Sequence, residues 1–504
     1  MVFVPSAKQA EFFDFVSSGQ GSCNLISVAG SGKSTSILRS FPYIPASKKV
    51  LYLVFNTRNS EDMKSKVKNL EIETGRSYAN VRVATFHSHG FGLLRWHLQS
   101  RNIQIGKPDS NKCRKLFKEM VKEEDFILYS SFVTKLVAYA KGEGLGILRE
   151  SNTEAYLSII DHHDMSLEHE KATIEKGITF ARALMATSYK AAKDGNIDYD
   201  DMLFMPLALN LRWFKQDYIF GDEMQDSNPV RREIMKRSCH ANTRVFAVGD
   251  PCQAIYGFTG ATKDAMDLIK HEFNAIDMYL NVSFRCPKAV VESVKNIVPY
   301  FEVNDTNKEG DVFDVTLSEA LEILTEKDAI LCRNVAPLVS LAFKLIGQGR
   351  ACHVLGSEIG QGLIKLVNQM QATDIDDLQV KLTSWRDREM SAAMAKDQEQ
   401  KAAGIADRAE CLFVMMESLP EITRTVQGLI GRITALFQDD EPTLTLSSMH
   451  KAKGMEWENV VIYRYDLMPS PWARQPWQAQ QEQHLDYVAR TRAMNYLMFM
   501  GDVK

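Results

Sequence analysis

Two stretches of this chain carry residues whose types and spacing suit phosphate chemistry. In SVAGSGKST (Ser27–Thr35), the small residues Ala29, Gly30, Ser31 and Gly32 let the backbone curl around an anion. A helix that begins at once, through Thr35, adds the partial positive charge of its N-terminus. Lys33 reaches β- and γ-phosphate oxygens from such a loop, and Ser34 offers a hydroxyl to Mg²⁺. The strict GxxxxGK[ST] pattern begins with glycine where this chain has Ser27. In FGDEMQDSNP, Asp222, Glu223 and Asp226 follow directly on the apolar run Tyr218-Ile219-Phe220. A buried strand that runs into adjacent acids is costly unless a positive charge meets them. Mg²⁺·ATP is that charge: Asp222 fits as metal partner and Glu223 as the base that orients the attacking water. The competing account, acids that cap a helix N-terminus, leaves the apolar run unexplained.

These residues need strands to hold them, and the text around them supplies strands. CNLISVA enters the glycine turn, KKVLYLVF and VRVATF read as buried strands, and QDYIFGDE and TRVFAVGD return after a helical stretch. A further strand-rich block runs from AIDMYLNVSF to ACHVLG, and TLTLSS and ENVVIYRY close the chain. Helical periodicity fills about 90–197 and 357–442, so α/β text is twice interrupted by helices. Sites at strand ends of parallel α/β units are what this order predicts.

The chain has 504 residues, too many for a single core, and 25% of them are charged. Its net charge of −4 advertises no general attraction to polyanions, so any nucleic-acid site must be a local groove. Eight scattered cysteines without a CxxC pair give no zinc or iron–sulfur framework. The N-terminus lacks a basic region followed by an apolar run, and no segment reaches membrane-spanning length. The expectation is an intracellular, cytoplasmic protein with no membrane partner.

Eight stretches, in order, resemble the motifs of superfamily 1A DNA helicases of the UvrD/Rep/PcrA type: SAKQAEFF, VFNTRNSEDM, ATFHSHGFG, GDEMQDSNP, VGDPCQAIYGFTGA, LNVSFRCP, SSMHKAKGMEWENVV and EQHLDYVARTRA. The resemblance covers both α/β blocks nearly end to end. It implies two RecA-like P-loop domains with parallel sheets, each interrupted by a helical insertion subdomain. The first domain is expected at 1–89 and 198–275 with its insertion at 90–197. The second is expected at 276–356 and 443–504 with a short insertion at 357–442. It places Gln9 at the adenine, Phe284 stacked on that base, and Glu456 at the ribose. Gln253, at a strand tip beside Asp250, suits a γ-phosphate sensor. Arg285 and Arg492 suit arginine fingers on the transferring phosphoryl, with a surface ion pair as the bland alternative for each.

A cycle that opens and closes around ATP needs a track. Phe55, Phe86, Tyr256 and Phe258 follow strands and suit stacking of bases, with core packing the competing fate of Phe86 and Tyr256. His87 and His450 read as backbone-contacting donors or as satisfied structural histidines. Thr259 stands where the family has an arginine, and Met468 where it has an aromatic residue. Trp472 and Trp477 are candidates for a strand-separating wedge, or for packing.

The expected activity is ATP-dependent, 3′–5′ translocation and unwinding on single-stranded or tailed DNA, in replication or repair. The alternative is a nucleic-acid-stimulated ATPase that serves as sensor or scaffold for a partner such as a nuclease. No nuclease motif is readable, and the chain stops soon after YVARTRA, so no appended domain is expected. The short second insertion predicts poor unwinding of long duplexes without a protein partner or self-association.

Overall fold

The computed structural model describes residues 3–18, 20–163, 165, 167, 171–255, 265–395, 399–438, 443–471, 473 and 476–502. The chain forms two compact units, one of Met1–Ser27 with Gly32–Asn281 and one of Val28–Ser31 with Val282–Lys504.

The first unit holds a six-stranded sheet of β1 (Ser22–Ser27), β2 (Val50–Val54), β3 (Val81–Thr85), β4 (Gln216–Gly221), β5 (Cys239–Gly249) and β6 (Ala275–Leu280), in the order β3-β2-β4-β5-β1-β6. Every pairing is parallel. Strands flanked on both faces by helices read as continuous apolar runs, and β2, VLYLV, is buried at every position. The register aligns Ile26 with Gly249 and Gly221 with Ala247, so the loops that leave β1, β4 and β5 emerge at one edge. Because β6 pairs along the whole of β1, the first sheet extends through Leu280. The boundary expected after 275 therefore falls after Asn281. The run AIDMYLNVSF is two strands, with the chain leaving the sheet between them.

The first helical insertion has a core of its own. Helices Lys112–Met120, Glu123–Gly142, Thr153–His162 and Ile174–Lys193 bury Phe117, Tyr129, Phe132, Leu136, Ile159 and Leu184 against one another. A buried ion network ties this insertion to the helix Asp201–Ala208. Lys112 meets Asp201 at 2.5 Å, and Lys141 meets Asp198 at 2.6 Å and Asp201 at 2.8 Å.

In the second unit β7 (Val282–Ser283) pairs with β8 (Glu302–Val303). A seven-stranded parallel sheet follows, of β9 (Asp311–Asp314), β10 (Ala329–Cys332), β11 (Cys352–Leu355), β12 (Phe437–Gln438), β13 (Leu444–Ser448), β14 (Trp457–Tyr463) and β15 (Ala493–Met500), in the order β12-β11-β13-β10-β14-β15-β9. The second insertion differs from the first: its helices Ser357–Met370, Ile375–Met394, Glu399–Glu417 and Val426–Leu436 share one core with this sheet. Leu366, Leu382, Leu412 and Ile433 lie in the same apolar cluster as Ile330, Val339 and Leu446. Asp407 fixes the join, as its carboxylate accepts from Val335 N and Ala336 N, each at 3.0 Å, where the helix Val335–Gly347 begins. Satisfying two orphan donors of a helix N-terminus is what a capping acid does, here supplied from the insertion.

Candidate functional site

Five residues converge at the tips of β1, β4 and β5. The loop after β1 curls because Gly30 and Gly32 take positive φ of 71° and 76°, the left-handed region that favours glycine. Gly32 precedes the helix Lys33–Ser40, and its carbonyl accepts from Ser36 N at 2.8 Å. Ser27 is the last residue of β1, and its hydroxyl donates to Gly249 O of β5 at 2.8 Å. It belongs to the sheet and not to the curl, so serine replaces the motif's first glycine without strain. Within the curl Ala29 is buried, and the buried Ser31 hydroxyl finds no partner. Thr35 is exposed on the first turn of the helix.

Lys33 Nζ lies 2.9 Å from Glu223 Oε1. Burial works against the ammonium, but Glu223, Asp222 and Asp250 outweigh it and hold its pKa above the ordinary value. Asp222 ends β4 and accepts from the hydroxyl of Tyr52, on β2, at 2.5 Å. Burial, then Asp222, raises the pKa of this hydroxyl well above its ordinary value. Burial first, then the neighbouring Glu223, raises the pKa of Asp222 against the pull of Lys33. Three carboxylates thus face one lysine, and the excess negative charge fits a divalent cation. Among the described residues no cluster of three or more His, Cys, Asp or Glu could hold a metal alone.

Gln225 joins the acids. Its Nε2 donates to Glu223 Oε2 at 2.5 Å and its Oε1 accepts from Asp250 N at 3.1 Å, which links the tip of β4 to that of β5. Gln253, after β5, donates to Asp250 Oδ2 at 2.7 Å. Gln9 is buried, and its amide is engaged at both ends, accepting from Ser6 N and donating to Ser36 Oγ, each at 3.0 Å. These two bonds fix the amide's orientation and use one of its two N–H donors and one of the two lone pairs of its oxygen.

A second cluster lies where β2 and β3 end. Phe55 is half-buried and meets Phe86 edge-on with ring centroids 5.7 Å apart. Phe86 is 0% exposed and packs with Leu51, Leu93 and Ile219 in the core. The expectation that it stacks on a base is corrected: the capping box of Thr85 and Ser88 starts a helix at once and turns this ring under the sheet. The guanidinium of Arg231 lies 4.4 Å above the Phe55 ring. Burial and then Arg231 push the pKa of His87 down to about 4, so at neutral pH it is an uncharged donor. Tyr256, Phe258 and Thr259 lie outside the described residues.

In the second unit, Arg285 bonds Glu456 at 2.8 Å and Thr491 O at 3.0 Å. Arg492, 2% exposed, donates to Val488 O, Met455 O and Thr491 Oγ1 at 2.8–3.1 Å. The two guanidiniums therefore share Thr491 as a neighbour. Phe284, 40% exposed, presents a free ring beside Arg285. His450 is half-buried, and burial followed by Arg333 lowers its pKa to about 3. Trp477 is on the helix Pro476–Arg490 and partly exposed, while Trp472 lies outside the described residues.

Sequence reasoning passed over Tyr52, Gln225, Arg231 and the Lys112/Lys141 network. Of these only Gln225 carries a local signal, its place inside the acidic motif.

A parallel sheet with a lysine-bearing glycine loop beside a strand-end acid pair defines a RecA-like P-loop nucleotide-binding protein. The chain belongs to the UvrD/REP helicase family, whose N-terminal domain matches residues 9–274. It is 26% identical over 337 residues to a probable DNA helicase II homolog of Mycoplasma pneumoniae, covering 62% of this chain and 46% of that protein. To F-box DNA helicase protein 1 of Schizosaccharomyces pombe it is 24% identical over 531 residues, 93% of this chain and 54% of the relative. To the ATP-dependent DNA helicase PcrA of Staphylococcus epidermidis it is 22% identical over 316 residues, covering 58% and 40%. The chain thus spans about half the length of the curated relatives it matches. Among the described residues no helix is long and apolar enough to cross a membrane.

Proposed function

We propose that this protein is an ATP-dependent motor on single-stranded DNA, moving 3′ to 5′ and separating strands on tailed duplexes. The observation that carries the reading is the Lys33–Glu223 pair, the P-loop cation held 2.9 Å from the strand-end acid. The two residues assigned to phosphate and to water neutralise each other until phosphate arrives. Mg²⁺·ATP, when bound, supplies the phosphoryl group and a Lewis-acidic metal. Lys33 then turns to phosphate oxygens, and Ser34 and Asp222 hold the cation. Glu223, freed of the ammonium, orients water and takes its proton at the carboxylate that Gln225 fixes. Gln253 senses the terminal phosphate, Arg285 and Arg492 serve its developing charge, and Gln9, Phe284 and Glu456 serve the nucleoside. Phe55, His87 and His450 touch the strand.

The second insertion supports one further step. Its helices belong to the core of the sheet unit, so the added grip that a separate insertion body would give on a long duplex comes from a protein partner or a second copy. The test compares ATP turnover with single-stranded DNA, single-stranded RNA and duplex as activators, then single-turnover unwinding of a long 3′-tailed duplex under a protein trap. Stimulation by single-stranded DNA with poor long-range unwinding is expected. Turnover indifferent to all three activators would end the reading, and processive unwinding by trapped monomers would end the partner step.

A further inference from the structure

In a chain with 64 acidic residues against 60 Lys and Arg, the segment from Thr74 to Pro108 contains no Asp or Glu. It carries Arg76, Arg82, Arg95, Arg101 and Lys107. Some of these are engaged: Arg76 bonds Pro42 O and Ile44 O, and Arg101 bonds the ring of His97. Arg95 and Lys107 are exposed and have no ion-pair partner among the described residues. Both line an open groove of about 640 Å³ between the helix Phe86–Gln99 and the loop that follows it. Gln99, Asn102 and Gln104 bring amides to the groove beside these cations, and Phe91, Ile103, Ile105 and Pro108 form its apolar part.

The groove is set in place by the backbone. Gly106 N donates to Gly195 O at 3.3 Å and Asp109 N to Ile197 O at 2.8 Å, which pins the loop to the segment after the first insertion. Gly195 has φ +90°, and a Cβ there would lie 2.1 Å from Gln104 O, so only glycine permits the approach. His87, Phe91, Arg95 and Gln99 recur every fourth residue and form one ridge along the helix. The ridge runs from the candidate strand contact at His87 into the groove, over about 18 Å at 1.5 Å per residue.

We propose that this groove binds the phosphodiester backbone of the duplex arm of a tailed substrate, which rests on the motor reading above. Single-strand sites stack bases on exposed rings. Here Phe91 is half-buried, and the exposed ring on the helix, Trp96 at 67%, sits one residue and so about 100° round from Arg95. Unpaired cations flanked by amides suit backbone contacts, and duplex DNA presents one phosphate charge per ~1.7 Å of axis.

The test measures binding of a tailed duplex and of its single strand alone by fluorescence anisotropy, between 50 and 200 mM salt, for the parent and for R95Q/K107Q. Removing two phosphate contacts should lower the salt slope on the tailed duplex by about 1.8, so the variant loses ~12-fold less affinity than the parent over that range. Single-strand affinity should move by less than twofold. R95K/K107R should restore the slope, and K64Q/K68Q, which removes two exposed cations from the helix Thr57–Thr74, should leave it unchanged. An unaltered duplex slope in R95Q/K107Q, an equal loss on the single strand, or an equal effect of K64Q/K68Q overturns the proposal. Failure of single strands to stimulate the parent's ATPase would instead overturn the motor reading, which the slope on duplex does not measure.

Discussion

Gln225→Met should separate positioning from binding at the nucleotide site. The side chain is 2% exposed and makes two bonds, from Nε2 to Glu223 Oε2 at 2.5 Å and to Oε1 from Asp250 N at 3.1 Å. Methionine keeps the volume and removes both. Losing the bond to the Asp250 N–H costs about 0.5–1.5 kcal/mol, and losing the bond to the Glu223 carboxylate about 1.5–3 kcal/mol more. Before nucleotide arrives Glu223 keeps its pair with Lys33, but it loses the contact that sets its angle. A misplacement of about 1 Å in a reacting group can cost on the order of 100-fold in rate. We therefore expect kcat of the strand-stimulated ATPase to fall ~10–100-fold with KM for ATP within about threefold, because neither phosphate nor metal is held by Gln225. The melting temperature should drop by several degrees. Glu223→Gln should retain nucleotide binding and nearly abolish turnover. If Gln225 acts only through Glu223, the double variant is no slower than Glu223→Gln alone. Additive losses in that cycle, or a Gln225→Met enzyme that turns over at the parental rate, would refute the reasoning.

Arg285→Lys should lower kcat far more than strand affinity with little loss of stability, since its fork serves the exposed Glu456 and a single backbone carbonyl, that of Thr491, whereas Arg492→Lys should lower both turnover and melting temperature because its buried fork satisfies three acceptors; full activity of the double Lys variant would dismiss both assignments. Lys141→Met should destabilise the first unit by about 3–5 kcal/mol in urea melts, as it leaves Asp198 and Asp201 with too little buried positive charge, and a neutral result would mean that the network is hydrated. His87 and His89 have pKa values lowered to about 4 and about 3, so the folded unit refuses protons that the unfolded chain accepts below its ordinary value near 6.5. Stability is full above that value and declines as pH falls toward 4, by about 1 kcal/mol per histidine at pH 5.5; urea midpoints that stay flat from pH 7.5 to 5.5 would contradict this.

What could be read in the sequence was local. The P-loop and the DE pair announce themselves because strand, turn and acid are contiguous, and helical and strand periodicities mark both insertions. What could not be read depends on pairing between distant strands. Tyr52 sits in the wholly apolar β2 and looks like core, and only the pairing of β2 with β4, Tyr52 beside Phe220, brings its hydroxyl to Asp222. Lys112 and Lys141 look like solvated helix charges until Asp198 and Asp201 close on them. Phe86 follows its cap Thr85 as the first residue of a helix, whereas Phe55 stands before the cap Asn56 of the next helix, and local sequence does not announce this difference. The short second insertion reads as a separate subdomain from its periodicity alone, yet its apolar faces lack enough partners among themselves and complete the core of the sheet.

The strand order gives β2 a particular place in the first unit. Four interstrand steps separate β3 from β1, about 19 Å at ~4.8 Å each, so the aromatic cluster at the end of β3 and the P-loop are too far apart to touch. β2 bridges part of that span with two residues three positions apart. Tyr52 bonds Asp222 on the P-loop side, and Phe55 supports Arg231 and packs on Phe86 on the other. Arg231 in turn sits in the first turns of the helix Pro229–Arg237, which follows the Asp222–Asp226 acids on the same chain. A shift of the β4 tip on exchange of Lys33 from Glu223 to phosphate would therefore act on Arg231 through its own backbone and on Phe55 through β2. Both routes end on the same cation and ring. Charge is arranged to match, with carboxylates gathered at β4 and β5 around one lysine and an acid-free run starting before β3. The net charge of −4 conceals this division, because it sums both regions.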